Sequence, residues 1–243
     1  EVQLVINDLH IPFQDTECLQ LVLKFAKQLN PDKVFMLGDI CDFYSISHFD
    51  KNPERQLNLA REMTQCREVI EQFAVTCTNA QFYFMYGNHE DRLRKFLWNN
   101  PAINGCIDLK DKLGLNDFNF NVFEYGENFI YKDVLIYTHG NKANKHSGYT
   151  AKCILEDNGL STIFGHTHRL GKHYRTNYSG ALIAVENGCL CRMELSKEWF
   201  NRELGNWQHG FSVIKFIEDR FNITDICIPK HKFIIYGSKY YTL

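Results

Sequence analysis

The sequence holds no C-x-x-C pair, no apolar run near the roughly 20 residues of a membrane span, no internal repeat and no low-complexity stretch. Each absence excludes a class. Nine cysteines, an odd number without framework spacing, exclude a disulfide scaffold and fit a reducing, cytoplasmic setting. Cys189 and Cys191 flank one leucine and read as small apolar strand residues rather than a metal clip. A formal charge of −2 gives no general pull on nucleic acid or an anionic membrane, so affinity for a polyanion has to be built locally. With no spanning segment, and no charged region ahead of an apolar core in "EVQLVINDLH", no membrane partner is expected. The composition points to no protein partner either. No linker interrupts the 243 residues, so residues 1–243 are expected to form one domain.

At 44% hydrophobic and 23% charged, the chain has ample material for a core. Short apolar runs at 2–6, 33–37, 81–86, 134–138 and 161–164 read as buried strands. Helical patterns lie between the first three. Leu19, Val22, Leu23, Ala26 and Leu29 share a face that stops at Asn30-Pro31, and Leu59, Met63, Cys66, Ile70 and Phe73 share another. Another helix is expected from Ser147 to Asn158, with Gly159 closing it. From about residue 178 the pattern is strand-like and suggests a second, largely antiparallel sheet.

The residues just past each of the five strands carry the chemistry: Asn7-Asp8-Leu9-His10, Gly38-Asp39-Ile40-Cys41-Asp42, Gly87-Asn88-His89-Glu90, Thr138-His139-Gly140 and Gly165-His166-Thr167-His168. Singly, each reads as a turn or a helix cap. Together they form a pattern that turn chemistry would scatter over both edges of a sheet. In an open α/β sheet the carboxyl ends of strands share one edge, so the five clusters should meet and bind metal.

In order, these residues match D-x-H, G-D-x-x-D, G-N-H-[DE], H and G-H-x-H, and the chain resembles the calcineurin-like metallophosphoesterase superfamily over residues 8 to 168. The resemblance implies an α/β fold, a four-layer α-β-β-α sandwich of two mixed sheets, with a dinuclear metal centre at the sheet ends. Carried over by position, Asp8, His10, Asp39 and His168 would bind one ion, and Asp39, Asn88, His139 and His166 the other. The two histidines of "GHTH" would then serve different ions. Imidazoles, carboxylates and an amide oxygen suit two borderline divalent ions, manganese first, with iron, zinc or nickel as alternatives. The implied reaction is attack of a metal-bridging hydroxide on phosphorus. His89 matches the family's general acid, and Asp42 the carboxylate that orients it.

Other positions carry two readings. Arg92 could bind phosphate bidentately, or belong with Arg94 and Lys95 to the solvated face of the next helix. Glu90 could brace its own turn, and His146 could touch substrate or simply open a helix. Arg169, with Lys172, His173 and Arg175, forms the best local basic patch. Phe43 and Asn141 depart from the protein-phosphatase branch, and Asp8 stands where the lariat-debranching branch usually has cysteine. The chain is therefore most similar to bacterial and phage-type phosphoesterases. The expected activity is a phosphodiesterase on a nucleotide or short nucleic acid. A phosphomonoesterase on a small molecule or phosphoprotein is the alternative, with a non-catalytic binding module third. Of Phe43, Tyr44 and Phe49, any could stack on a base, although packing is the plainer role.

Overall fold

Side-chain alternation on the first strand sets the layers. In β1 (Val2–Ile6), Leu4 and Ile6 enter one apolar cluster and Val5 enters another. The same split recurs in β2 (Lys33–Met36) and β3 (Gln81–Met85), where Val34, Met36, Phe82 and Phe84 face one way, and Phe35 and Tyr83 the other. These observations come from a computed structural model that describes residues 1–52, 55, 58–178, 180–200, 205–231, 233–237 and 239–243.

Helices α1 (Thr16–Leu29) and α2 (Leu59–Thr76) cover the first face with Leu19, Val22, Phe25, Cys66, Ile70 and Phe73. Asp15 caps α1 by accepting a hydrogen bond from the Cys18 N–H at 2.9 Å, and Asn30 ends it in the left-handed region. Asn58 caps α2 in the same manner. Then follow α3 (Asp91–Asn99), the single turn α4 (Leu109–Lys112), and strands β4 (Asn121–Phe123), β5 (Phe129–Tyr131) and β6 (Leu135–Thr138). Helix α5 (Tyr149–Asn158) ends on Gly159 at φ 64°, a conformation that suits glycine. The chain continues with β7 (Ser161–Phe164), β8 (Leu170–Asn177), β9 (Gly180–Asn187) and α6 (Leu195–Phe200). It finishes with β10 (Gly210–Ile217), β11 (Arg220–Cys227), β12 (Phe233–Tyr236) and β13 (Lys239–Thr242).

Two mixed sheets result. One runs β11-β10-β1-β2-β3-β4, the other β5-β6-β7-β9-β8, and β12 pairs with β13 alone. Between the sheets, Phe35 stacks on Tyr83 at 4.4 Å and, across the sandwich, on Tyr137 at 4.0 Å. Truncating such a ring costs about 3–5 kcal/mol. On the far side of the second sheet, Ala151, Ile154 and Leu155 of α5 pack on Phe164 and Ala184. The four layers are those expected.

The assignment of strands to sheets differs from the sequence reading. The five motif strands do not share one open sheet: β1, β2 and β3 lie in the first, β6 and β7 in the second. Apart from the β12–β13 pair, the C-terminal strands do not form a sheet of their own. Instead β10 pairs antiparallel with β1, and β9 pairs parallel with β7. The physical reason is that every inner strand is covered on both faces, by helices outside and by the other sheet inside. A continuous apolar run therefore identifies a buried strand without revealing its sheet.

Candidate metal centre

The loops leaving these strands turn in a shared way. Asp8, His10, Asp39, His166 and His168 all have φ between 50° and 69°, a region few non-glycine residues adopt, at a cost of about 1–3 kcal/mol each. Close approach holds the turns there. A Cβ on Gly87 would lie 2.1 Å from Asp39 Oδ1, and one on Gly165 would lie 2.9 Å from Asp8 Oδ2. Glu90 fastens two motifs together, its carboxylate accepting from the N–H groups of Asp39 (2.9 Å), Cys41 (2.9 Å) and Gly87 (2.8 Å). Burial and the charge of Asp39 push this carboxyl up to about 7. These contacts brace the turn, the role the sequence suggested for Glu90. Asn7 does comparable work at the other loop: its amide donates to Asp8 Oδ2 at 2.5 Å and to the Gly188 carbonyl at 2.8 Å, while Asn187 donates to Asn7 Oδ1.

Side chains from both sheets meet in two groups. In the first, His10 Nε2 and His168 Nε2 are 2.9 Å apart, and Asp8 Oδ1 lies 3.4 Å from the latter. Asp39 Oδ2 lies 3.9 Å from His10 Nε2. In the second, Asn88 Oδ1 is 3.1 Å from His139 Nε2 and 2.8 Å from His166 Nδ1, with Asp39 Oδ2 again 3.3 Å from His139. Asp39 belongs to both. His139 is oriented by its other ring nitrogen, which donates to the Leu37 carbonyl at 2.8 Å.

The donor set fits divalent cations. Asp8 Oδ1 is buried with no hydrogen-bond partner among the described residues, although a carboxylate oxygen in that position ordinarily has one. Two neutral imidazoles complete the picture: burial and the charge of His89 push His10 down to about 4, and burial and the charge of His139 do the same to His166. Asp39 stays well below the usual carboxylate range against the opposing effect of burial, because His139 and His89 face it. Nitrogen and oxygen lone pairs converge here, and ligating groups of Asp8, His10 and Asp39, and of Asp39, His139 and His166, form compact clusters of the kind a dimetal site uses.

Beside the groups stands His89. Its Nδ1 lies 2.7 Å from Asp42 Oδ1, its backbone N–H donates to Asp39 Oδ1 at 2.9 Å, and its Nε2 is 3.8 Å from Asp39 Oδ2. Burial alone would lower its pKa, but Asp39 and Asp42 together raise it. The two readings of the 92–95 segment divide. Arg94 and Lys95 are exposed and pair with the buried Asp91 of α3, whereas Arg92 turns inward, donating to the Asp42 carbonyl at 2.8 Å and placing Nη2 2.9 Å from His89 Nε2.

Asp39, Asp42, Asn88, His89, Arg92 and His166 line a cleft of about 750 Å³. Arg169 lines it, held by the carbonyls of Asn144 and Asn206. His146 is exposed in the loop before α5 and lies outside the lining. The other basic residues do not gather at the cleft: Lys172 pairs with Asp225, and Arg175 points to solvent along β8. Cys189 and Cys191 are buried, burial holds the Cys191 thiol well above its ordinary pKa, and that thiol clusters with the ring nitrogens of His10 and His168. Phe43 is fully buried and cannot stack on a ligand.

Sequence reasoning missed the aromatic wall. Trp199 stands over the rings of His10 (5.0 Å), His89 (5.5 Å) and His168 (5.6 Å), and Trp207 meets His168 edge-on at 4.1 Å. Glu186 was missed as well. It is fully buried and links the two halves of the second sheet's rim, accepting from Thr167 Oγ1 (2.8 Å) and the Gly148 N–H (2.7 Å). Neither had a signal in spacing. Trp199 lies on the short helix α6 and Trp207 outside any regular element, and Glu186 lies near the end of an ordinary strand.

Comparison with known proteins agrees with this geometry. The signature of the calcineurin-like phosphoesterase family matches residues 3–170. The chain is 31% identical over 231 residues to the Gene 54 protein of Mycobacterium phage D29, and 28% identical over 222 residues to that of Mycobacterium phage L5. In both cases the match covers 86% of this chain and 87% of the relative. Among solved structures, a single mutant of Vps29 from Entamoeba histolytica shares the fold at 11% identity, with a TM-score of 0.50 over 95% of this chain and 94% of that one. Among the described residues, no helix is long and apolar enough to cross a membrane.

Proposed function

Given that the chain belongs to the calcineurin-like phosphoesterase family, we propose that it is a metal-dependent phosphodiesterase acting on a nucleotide or short single-stranded nucleic acid. Asp8, His10, Asp39 and His168 would hold one divalent cation, and Asp39, Asn88, His139 and His166 the other, with manganese the first choice and iron, zinc or nickel suited to the same donors. Such a pair, when bound, neutralises phosphate charge and lowers the pKa of water.

The chain's own residues do the rest. As water adds to phosphorus and the bond to the leaving oxygen breaks, His89 passes its Nε2 proton to that oxygen, and the proton lost by the water goes to solvent. Asp42 accepts from Nδ1 and keeps the ring protonated beforehand. Arg92 occupies the position beside Nε2 that the leaving oxygen needs, so substrate displaces its guanidinium, which is then free to bind a phosphate oxygen. Arg169 and, more remotely, His146 are the remaining substrate-binding candidates; the tethering of Arg169 favours it over the exposed loop histidine. Residues 1–243 act as one domain, and nine free thiols support a reducing, cytoplasmic setting.

The observation that carries this reading is the single oxygen Asp39 Oδ2, common to both donor groups and 3.8 Å from His89. The preference for a diester draws support from a cleft far roomier than one phosphoryl group. The test is hydrolysis of bis-p-nitrophenyl phosphate against p-nitrophenyl phosphate. Chelation should abolish turnover, manganese should restore it, and the diester should be the faster substrate. Faster turnover of the monoester would favour a phosphomonoesterase, and activity indifferent to chelator would refute the metal-dependent reading.

A further inference from the structure

Resting on that phosphodiesterase reading, we infer that Phe49 and Trp199 form a stacking subsite for the base of the departing nucleoside. The leaving oxygen must sit at His89 Nε2, so whatever it carries occupies the space around that ring. Two aromatic side chains bound that space. Trp199 lies on one side, its ring 5.5 Å from that of His89 and tilted by 33°. On the other side Arg92, whose Nη2 is 2.9 Å from His89 Nε2, lies 6.0 Å from the Phe49 ring. Phe49, Arg92, His89 and Trp199 all line the one cleft.

Phe49 is 59% exposed, although burying such a ring is worth about 1.5–3 kcal/mol. Its presentation is built rather than slack. Lys51 folds back so that its ammonium donates to Ser47 Oγ at 2.5 Å and to the Phe49 carbonyl at 2.9 Å. Tyr44 closes the same loop, donating to the Asp50 carbonyl at 3.0 Å and accepting from the Asn52 N–H at 2.6 Å. A fixed ring loses little freedom on binding and can act as a stacking platform. Ala143, His166, Thr167 and Arg169 line the cleft without aromatic surface, and of its other rings Trp207 packs edge-on against Trp199 at 5.4 Å. Phe49 and Trp199 are the cleft-lining rings with a contact to Arg92 or His89. Stacking tolerates any base, because every base has a π-face, so the subsite selects a nucleoside without selecting its sequence.

The experiment uses the manganese-loaded protein and three dinucleotides: thymidylyl-thymidine and its two analogues in which one sugar lacks its base. Product analysis identifies the departing nucleoside. Removing the base from the departing side should lower kcat/KM by about tenfold or more, and removing the other base should lower it by much less. In Phe49→Ala the ratio between base-bearing and abasic leaving groups should fall toward one, and in Phe49→Trp it should persist. A wild-type protein indifferent to the departing base, or a ratio unchanged in Phe49→Ala, would overturn the inference. Turnover of bis-p-nitrophenyl phosphate without turnover of any dinucleotide would overturn it too while sparing the phosphoesterase activity. Failure on every diester would remove the reading beneath it as well.

Discussion

Asp8, His10 and His168 lie at 0%, 0% and 3% exposure beneath Trp199 and Trp207, whereas Asn88 and His166 are half-buried on the floor of the open cleft. The first half has a second carboxylate, Asp8, where the other has the amide oxygen of Asn88, and the two also differ in access, although His168 lines the cleft and His139 is buried. A cation in the sealed half would be surrounded by protein and would exchange slowly, while one in the open half would meet water, substrate and competing ligands. Asp39, close to the histidines of both groups, would couple a firmly held cation to an exchangeable one.

Breaking the shared atom should have the largest effect. Asp39→Asn should lower kcat on bis-p-nitrophenyl phosphate by at least about a thousandfold, beyond the 10–100-fold typical of losing a supporting contact. Circular dichroism should show the fold retained. Next comes the proposed proton donor: His89→Ala should cost about 10²- to 10⁴-fold on a dinucleotide and far less on a p-nitrophenyl ester, whose leaving group needs no proton. Equal losses on the two substrates would remove His89 from that role.

A sharper comparison sets His10→Gln against His166→Gln. The change in the open half should raise the manganese concentration for half-maximal activity by about 10–100-fold, with saturating metal restoring most turnover. The change in the sealed half should not be rescued by added metal. The smallest effect concerns the support beneath the sealed half. Glu62 of α2 is buried near the turn that carries Asp42, and burial together with the charge of Asp42 pushes its carboxyl up to about 7 from an ordinary 4.5. Its folded-state pKa is the higher one, so the stability it contributes is present below about 4.5 and lost as pH rises through about 7. Glu62→Gln should therefore flatten the decline in stability between pH 5 and pH 8. It should leave the variant about 1–2 kcal/mol more stable than wild type at pH 8, as urea unfolding of the chelated protein would measure.

The donors and the aromatic wall above them were unequally legible in the sequence. Donors such as Asp8, Asp39, Asn88 and His166 stood out because each follows an apolar run directly, and the end of a strand is where a short polar cluster has a fixed place. Their convergence could be read without knowing that β1–β3 and β6–β7 belong to different sheets, since both sheets present these ends to one rim. The sheet assignment itself was hidden, because strands covered on both faces lose the alternation that distinguishes inside from outside. Trp199 and Trp207 were hidden for another reason. Trp199 sits on a six-residue helix too short to show a period and Trp207 outside any regular element, and packing partners such as His10 lie about 190 residues away. Phe49 was visible as a residue but not as an exposed one, since exposure depends on the loop that Lys51 and Tyr44 fasten.

Counting bound manganese tests the coupling of the two halves most directly. Titration of the chelated and dialysed protein, followed by calorimetry and elemental analysis, should give two ions per chain, one held more tightly than the other. His166→Gln should abolish or weaken only the weaker step, and Asp39→Asn should disturb both. Saturation at a single ion, or two ions still bound undisturbed in Asp39→Asn, would contradict a centre built around one shared carboxylate.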